Sequence, residues 1–367
     1  MEFGLNESQG ILQESAREFF AGECPISEVR RMSATDTAFD PNLWGKLAKQ
    51  GYTGITFAEE FGGVGLGIVE LILLMEEAGR ALLPGPFFST VALAGSLLSF
   101  IASTEQKRRY LAPICRGEAR ATAAVVEASG SWDPAETQMT VVDGKVKGEK
   151  LFVSDAGVAD WIIVLARTGV YLVDARAGGV RIAPMNGMDV TRKLYSVRFD
   201  SAAAEKLGDT FGIPNALDVA TAALCAEMVG GMQRTLELTV EYAKTRKQFG
   251  KPIGMFQAVQ HHCADMYLET ESARSAVYYA AWALEQNAPD AASAVSIAKL
   301  YTSEASRTVG NRGIQVHGGM GFTWENDLHL YYRRAKASET AFGDATFHRE
   351  RLARLVIDVE AASARKS

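Results

Sequence analysis

The sequence predicts a mainly α-helical protein with a β domain in its middle, and three observations carry that prediction. Apolar residues recur at helical spacing from about residue 5 to 118. Period-2 runs rich in valine and isoleucine, broken by frequent turn residues, replace them near Ala121. The helical period returns after Gly212-Ile213-Pro214-Asn215. The expected domains are an N-terminal helical domain over 1–119, a small antiparallel β domain over 120–208 and a C-terminal helical bundle over 209–367. A chain of 367 residues, 47% hydrophobic and 22% charged, is long enough for two or three such domains to share large cores.

In the first segment Ile11, Ala16, Phe19 and Phe20 form one helical face, and Leu71, Leu74, Met75 and Ala78 another. Glu59-Glu60-Phe61-Gly62-Gly63-Val64-Gly65 interrupts them, because its glycines favour a turn over a helix. In the second segment Thr140-Val141-Val142, Asp143-Gly144 and Lys145-Val146-Lys147 read as a hairpin, since Asp-Gly accepts the positive φ angles of a two-residue turn. Residues 161–166, 170–173, 180–182 and 195–199 continue the strands. In the third segment Leu217, Ala220, Leu224, Met228, Met232 and Leu236 make one apolar stripe. Pro252-Ile253-Gly254, Asn287-Ala288-Pro289 and Gly318 to Gly321 then divide the tail into four or five helices.

Composition narrows the function. A formal charge of -6, from 38 basic and 44 acidic residues spread along the chain, provides no basic field for a nucleic-acid backbone. Cys24, Cys115, Cys225 and Cys263 lack the spacing of a zinc site and the density of a disulfide framework, so reduced core thiols are expected. The start, Met1-Glu2-Phe3-Gly4, lacks the basic region and apolar run of a signal peptide, and Val91 to Ile101 falls short of the roughly 20 residues of a membrane span. A cytoplasmic protein with no membrane partner is expected.

Two segments depart from what a plain bundle needs. In the stretch from Tyr242 to Ile253 a helix ends in Lys244, Arg246 and Lys247 before a turn at Gly250 and Pro252. Basic residues there suit a helix C-terminus on dipole grounds alone, so a capped helix end is the plain reading. In Gln315-Val316-His317-Gly318-Gly319-Met320-Gly321-Phe322 the glycines permit close backbone approach to a ligand, or simply end a helix. Together the two are more specific. An arginine fork can neutralise a pyrophosphate while a glutamine amide and glycine backbone lie along an adenosine.

On these residues the chain resembles the acyl-CoA dehydrogenase family over essentially its whole length. The helix, strand, helix order matches, as do Trp44 with Leu47 and Gly51, the Glu59 to Gly63 turn, Glu77 with Gly79-Arg80, and Glu105-Gln106 with Tyr110-Leu111. Arg246, Phe249, Gly250, Phe256 and Gln257 carry one motif, and Gln315, Gly318, Gly319, Gly321 and Phe322 another. The resemblance implies a middle antiparallel β-barrel, a C-terminal four-helix bundle and a tetramer. It also implies FAD between two subunits, an acyl-CoA thioester substrate, α,β-dehydrogenation and electron-transfer flavoprotein as electron acceptor. It assigns Arg246, Phe249, Phe256, Gln257, Gln315, Gly318 and Gly319 to the pyrophosphate and adenosine of the partner's FAD. Lys150-Leu151-Phe152-Val153-Ser154 matches the family's Lys-x-Trp-x-Thr, which puts Phe152 on the flavin and the Ser154 hydroxyl near N5.

The residues for proton abstraction depart from the family pattern. Counting from Arg333, Ala335 and Lys336 puts Phe342 where most relatives have the catalytic glutamate, followed by Gly343 and Asp344. The alternative base position, counted back from Arg246, holds Ala220 and Thr221. The family's Thr-Glu-Pro-Gly-Ala-Gly-Ser-Asp reads Val126-Glu127-Ala128-Ser129-Gly130-Ser131-Trp132-Asp133. Residues lent to a partner's FAD survive, whereas those for the chain's own chemistry do not. The first expectation is therefore a base-less subunit that pairs with a catalytic one in a heterotetramer. The second is a self-sufficient homotetrameric dehydrogenase with Asp344 as base, or else Glu339 or Glu227, although Asp344 reads more plainly as an ion pair or helix cap and Glu227 as buried against a neighbouring side chain. The third is a flavin-dependent monooxygenase or oxidase on the same scaffold. His261, His262, Cys263 and Asp265 read as helix surface rather than a metal site, because adjacent histidines on a helix point about 100° apart. Arg333-Arg334 with Lys336 reads equally as an acyl-CoA phosphate contact or a solvated helix face.

Overall fold

The computed structural model describes residues 4–358. The opening Met1–Phe3, used above in the leader reading, and residues 359–367 of the expected third domain lie outside it. In chain order the elements are α1 (Glu7–Glu23), α2 (Ile26–Ser33), α3 (Pro41–Lys49), α4 (Ile68–Arg80), a π-helical stretch (Phe88–Ala94), α5 (Gly95–Ile101) and α6 (Thr104–Cys115). The strands are β1 (Ala121–Ala124), β2 (Val141–Val142), β3 (Lys145–Ser154), β4 (Trp161–Ala166), β5 (Gly169–Asp174), β6 (Val180–Met185), β7 (Leu194–Ala203) and β8 (Glu205–Gly208). Then come α7 (Ile213–Thr245), β9 (Lys247–Gln248), β10 (Lys251–Pro252), α8 (Gln257–Glu285), α9 (Ala291–His317), α10 (Leu328–Thr340) and α11 (Ala345–Ala353). The chain is mainly helical with central sheets, and no described helix is long and apolar enough to cross a membrane.

These elements form two compact units, one of residues 27–71 and 83–220, the other of residues up to 26, 72–82 and from 221 onward. In the second of these, α1 and the end of α4 lie with the helical tail. Asn6 caps α1: its side chain accepts from the Gln9 amide, while the Gln9 side chain accepts from the Asn6 amide, which satisfies two otherwise orphaned donors. Glycines set the α4 to α7 approach: a Cβ at Gly79 would stand 2.0 Å from the Glu227 carbonyl oxygen, and one at Gly230 1.8 Å from that of Glu76. Charges line the same seam. Arg17 donates to Glu77 at 2.7 and 3.1 Å, Arg80 to Glu237 at 2.5 and 2.6 Å, and Arg274 and Tyr278 to Glu76 at 3.0 and 2.8 Å. Burial pushes the Glu76 carboxyl above its usual range, against the pull of Arg274 and Tyr278.

The strands correct one expectation. Strands β1 to β8 make two four-stranded sheets, ordered β1-β4-β5-β8 and β2-β3-β7-β6, rather than one wholly antiparallel set, and β9 and β10 pair apart from them. β1 pairs with β4 in parallel, Ala121 opposite Trp161, because the β2–β3 hairpin between them belongs to the other sheet and returns the chain in the same direction. Val146, Val153, Val164, Val173, Val197 and Phe199 meet in a common apolar core. The hairpin itself matches its sequence reading: Asp143 at φ 50° and Gly144 at φ 67° bridge Val142 and Lys145.

Candidate functional site

α7 ends at Thr245, and Arg246 begins a tight hairpin. The Arg246 amide donates to Tyr242 O at 2.8 Å, and its carbonyl accepts from the Ile253 amide at 2.8 Å. Between β9 and β10, Phe249 and Gly250 turn the chain at φ 51° and 80°, the two positive values that a type I′ turn needs. Glycine fits there at no cost, whereas phenylalanine is strained. Phe249 is 92% exposed, and its ring meets Phe256 edge-on at 6.1 Å, while Lys251 Nζ lies 4.5 Å from the Phe256 ring centre. Arg246 and Gln257 are exposed.

α9 ends at His317, after which Gly318 takes φ 60° and a 3-10 turn covers Gly318–Phe322. Nothing stands within 4 Å of a Cβ at Gly318 or Gly319, so their backbone is open to a ligand. Gly321 serves packing instead: a Cβ there would meet His317 and Ile314 at 3.2 Å. Gln315 is exposed. A ring stack brings this turn to the Arg246 segment. The Tyr242 and His317 rings stack at 4.3 Å and 19°. Along α8 and α9, Tyr301 donates to Glu269 at 2.9 Å and Arg312 to Asp265 at 2.5 Å. This antiparallel ladder carries the Gln257 end of α8 toward the Gln315 end of α9. His262 joins Arg312 at 3.3 Å, and among the described residues no group of three or more His, Cys, Asp or Glu could hold a metal ion.

The positions where the resemblance led us to expect a base are arranged as follows. Phe342 is buried with φ 59°, and its carbonyl accepts from His348 Nε2 at 3.0 Å. Burial pushes His348 down to about 4, so the ring is neutral with its proton on Nε2. Lys299, fully buried, donates to the carbonyls of Glu339 and Gly343, each at 2.9 Å, and to Ser303 Oγ at 3.1 Å. Burial pushes its ammonium down to about 8. Backbone carbonyls on both sides of Phe342 are thus pinned by buried side chains. Asp344 is exposed and caps α11, accepting from the Phe347 amide at 2.8 Å. Glu339 is paired with Lys336 at 2.6 Å and Arg307 at 3.3 Å. Glu227 is buried against Arg334 at 2.8 Å, which takes both out of solvent, and Ala220 is fully buried. Arg334 is therefore a core ion-pair partner rather than part of a solvated face. Asp344→Asn is expected to leave turnover of the assembled enzyme unchanged, since asparagine caps as well as aspartate; a loss beyond about tenfold in kcat would make the carboxylate a base.

In the β domain, Phe152 sits at a bulge of β3 between Lys150 and Val153, with φ 55°, and is 46% exposed. The bulge turns outward a ring that strict alternation would not. Thr122 donates to the carbonyl of Ser154 at 2.6 Å. Lys150, fully buried, donates to Val125 O at 2.9 Å and Glu127 at 2.8 Å. Glu127 also accepts from the amides of Gln138 and Met139, each at 3.0 Å, so the divergent 126–133 segment remains anchored beside Phe152. The sequence reading missed Tyr242, His317 and Lys299. Lys299 had a signal, because it falls on the buried stripe of α9 with Val295, Thr302 and Ser306. His317 had none apart from its place inside the glycine motif.

Comparison with known proteins identifies the scaffold. Residues 6–118 match the acyl-CoA dehydrogenase N-terminal domain and residues 213–357 the C-terminal domain. The acyl-CoA dehydrogenase IpdE2 of Mycolicibacterium smegmatis is 32% identical over 97% of this chain and 100% of its own length. Among solved structures, the Tcur3481-Tcur3483 steroid ACAD superposes with a TM-score of 0.89 at 30% identity, covering 97% of this chain and 99% of that one. A chain of the ChsE4-ChsE5 complex from Mycobacterium tuberculosis does so with a TM-score of 0.89 at 28% identity, covering 96% and 98%. This chain belongs to the acyl-CoA dehydrogenase family and is a flavoprotein oxidoreductase of that family.

Proposed function

We propose that this chain is the base-less subunit of a heteromeric acyl-CoA dehydrogenase, completing in trans an FAD site whose proton-abstracting carboxylate lies on another polypeptide. The observation that carries the reading is a contrast within one helical unit. Phe342 is buried and its loop pinned by Lys299 and His348, while Arg246, Phe249, Gln257 and Gln315 are exposed.

The exposed set fits FAD. Arg246 offers a guanidinium to a pyrophosphate, Gln257 and Gln315 offer amide donors and acceptors to an adenosine, and Phe249 and Phe256 offer aromatic faces. Gly318 and Gly319 leave their backbone approachable, with nothing within 4 Å of a Cβ at either. In the chain's own β domain Phe152 and Ser154 are the residues for a flavin ring. Bound FAD would supply the hydride acceptor for α,β-dehydrogenation. This chain's residues hold and orient; the α-proton of the acyl-CoA thioester goes to the partner's base. The assembly proposed is a heterotetramer, with electron-transfer flavoprotein as acceptor and the cytoplasm as its place. Two similar structures, Tcur3481-Tcur3483 and the ChsE4-ChsE5 complex, support the two-chain arrangement.

The test is reconstitution. Mixing the purified chain with a base-bearing acyl-CoA dehydrogenase subunit encoded beside it is expected to create acyl-CoA dehydrogenation that neither has alone. Arg246→Ala is expected to weaken FAD retention by the mixture about 10- to 100-fold, the range for losing a hydrogen bond to a charged group. Full turnover by this chain alone would overturn the proposal.

A further inference from the structure

We infer that His317 is a positioning residue for the cofactor site: its ring, stacked on Tyr242, joins the Arg246 hairpin to the Gly318–Phe322 turn and fixes their spacing. The inference rests on the trans FAD reading above and concerns residues that reading does not assign.

Each half of the site is tied to its own helix. On the α7 side Tyr242 stands one helical turn before Arg246, whose amide donates to its carbonyl at 2.8 Å. The hairpin folds back so closely that a Cβ at Gly254 would lie 3.0 Å from Ala243 O. On the α9 side His317 is the last helical residue, and the glycine turn wraps over it, so that a Cβ at Gly321 would lie 3.2 Å from the His317 Cβ.

The ring pair spans the two halves. Its 4.3 Å centroid separation and 19° interplanar angle are those of a stack. His317 Nδ1 lies 2.9 Å from Gly313 O, so that nitrogen carries the proton and the helix backbone fixes the ring plane. Burial pushes the imidazole below its usual value, which keeps it neutral and suited to an aromatic contact. With one face on Tyr242 and one nitrogen on its own helix, the ring has little freedom, and the adjoining Gly318, at φ 60°, starts the turn from a fixed point.

The experiment compares His317→Ala, His317→Phe and His317→Asn in the full-length chain within its complex. It reads FAD affinity by fluorescence titration, melting temperature of the FAD-free protein, and amide hydrogen exchange through residues 246–253. His317→Ala is expected to weaken FAD binding roughly tenfold, the upper end of what an aromatic pair contributes, and to speed exchange in the hairpin at an unchanged melting temperature. His317→Phe keeps a stacking ring and restores affinity; His317→Asn keeps a donor without the ring and behaves like alanine. Unchanged affinity in His317→Ala, rescue by asparagine but not phenylalanine, or a loss that follows a fall in melting temperature would each overturn the inference. Arg246→Ala in the same complex separates the two levels. If it leaves FAD affinity intact, the trans-site reading fails and takes this inference with it. If it weakens FAD binding while His317→Ala does not, only the inference falls.

Discussion

Glu227→Ala is expected to destabilise the protein by about 3–5 kcal/mol, the cost of leaving a buried charge without its counter-ion. Glu227 and Arg334 meet at 2.8 Å with side-chain exposures of 3% and 6%, joining the centre of α7 to the centre of α10. Removing the carboxylate leaves the guanidinium where water cannot solvate it, and α10 leads directly into the Phe342 loop. Urea unfolding gives the loss as a change in midpoint. The double variant Glu227→Met with Arg334→Met separates charge from packing: it is expected to recover most of the loss, because two apolar chains of similar volume need no pairing. A loss below about 1 kcal/mol for Glu227→Ala would place the guanidinium in contact with solvent.

Gly230→Ala is expected to cost about 3 kcal/mol, the upper end of the range for overpacking. The methyl would lie 1.8 Å from Glu76 O and 2.7 Å from the Arg80 amide, both backbone atoms that cannot rotate aside. α4 and α7 must separate instead. That movement pulls on the Arg80–Glu237 and Glu76–Arg274 pairs, so the variant should also lose the steepness of its denaturant transition if the seam loosens unevenly. Gly231 provides the control. A Cβ there meets only Tyr331 at 4.0 Å, and Gly231→Ala should be neutral or stabilising, since alanine is the better helix former. Equal effects of the two substitutions would show that intrinsic helix preference, and not the close approach, governs Gly230.

Much of the fold was legible because its signals are local. The 3.6-residue stripe on α7, the period-2 strands and the Asp143-Gly144 turn are each fixed by neighbours in sequence. The parallel β1–β4 pair was not, because strand direction depends on which sheet the intervening hairpin joins. The two segments proposed to hold a cofactor stood out in the sequence as a pair of motifs, but not as one place. What brings them together is the Tyr242–His317 stack, a contact 75 residues apart along the chain. The burial of Glu227 against a neighbouring side chain was legible, but its partner was not, because Arg334 lies on another helix and reads in sequence as a possible solvated face. At Phe342 the sequence showed that the carboxylate was missing. It did not show that Lys299 and His348 hold the surrounding backbone in place without it.

Phe152, Phe249 and Phe342 share a left-handed backbone, with φ of 55°, 51° and 59°. A glycine would relax each turn, and each glycine would delete a ring from a position assigned to the site. At these three points the chain's durability and its chemistry therefore compete. On the proposed reading, hardening the protein by easing its backbone would erode the faces offered to flavin and adenosine and loosen the buried Phe342 turn.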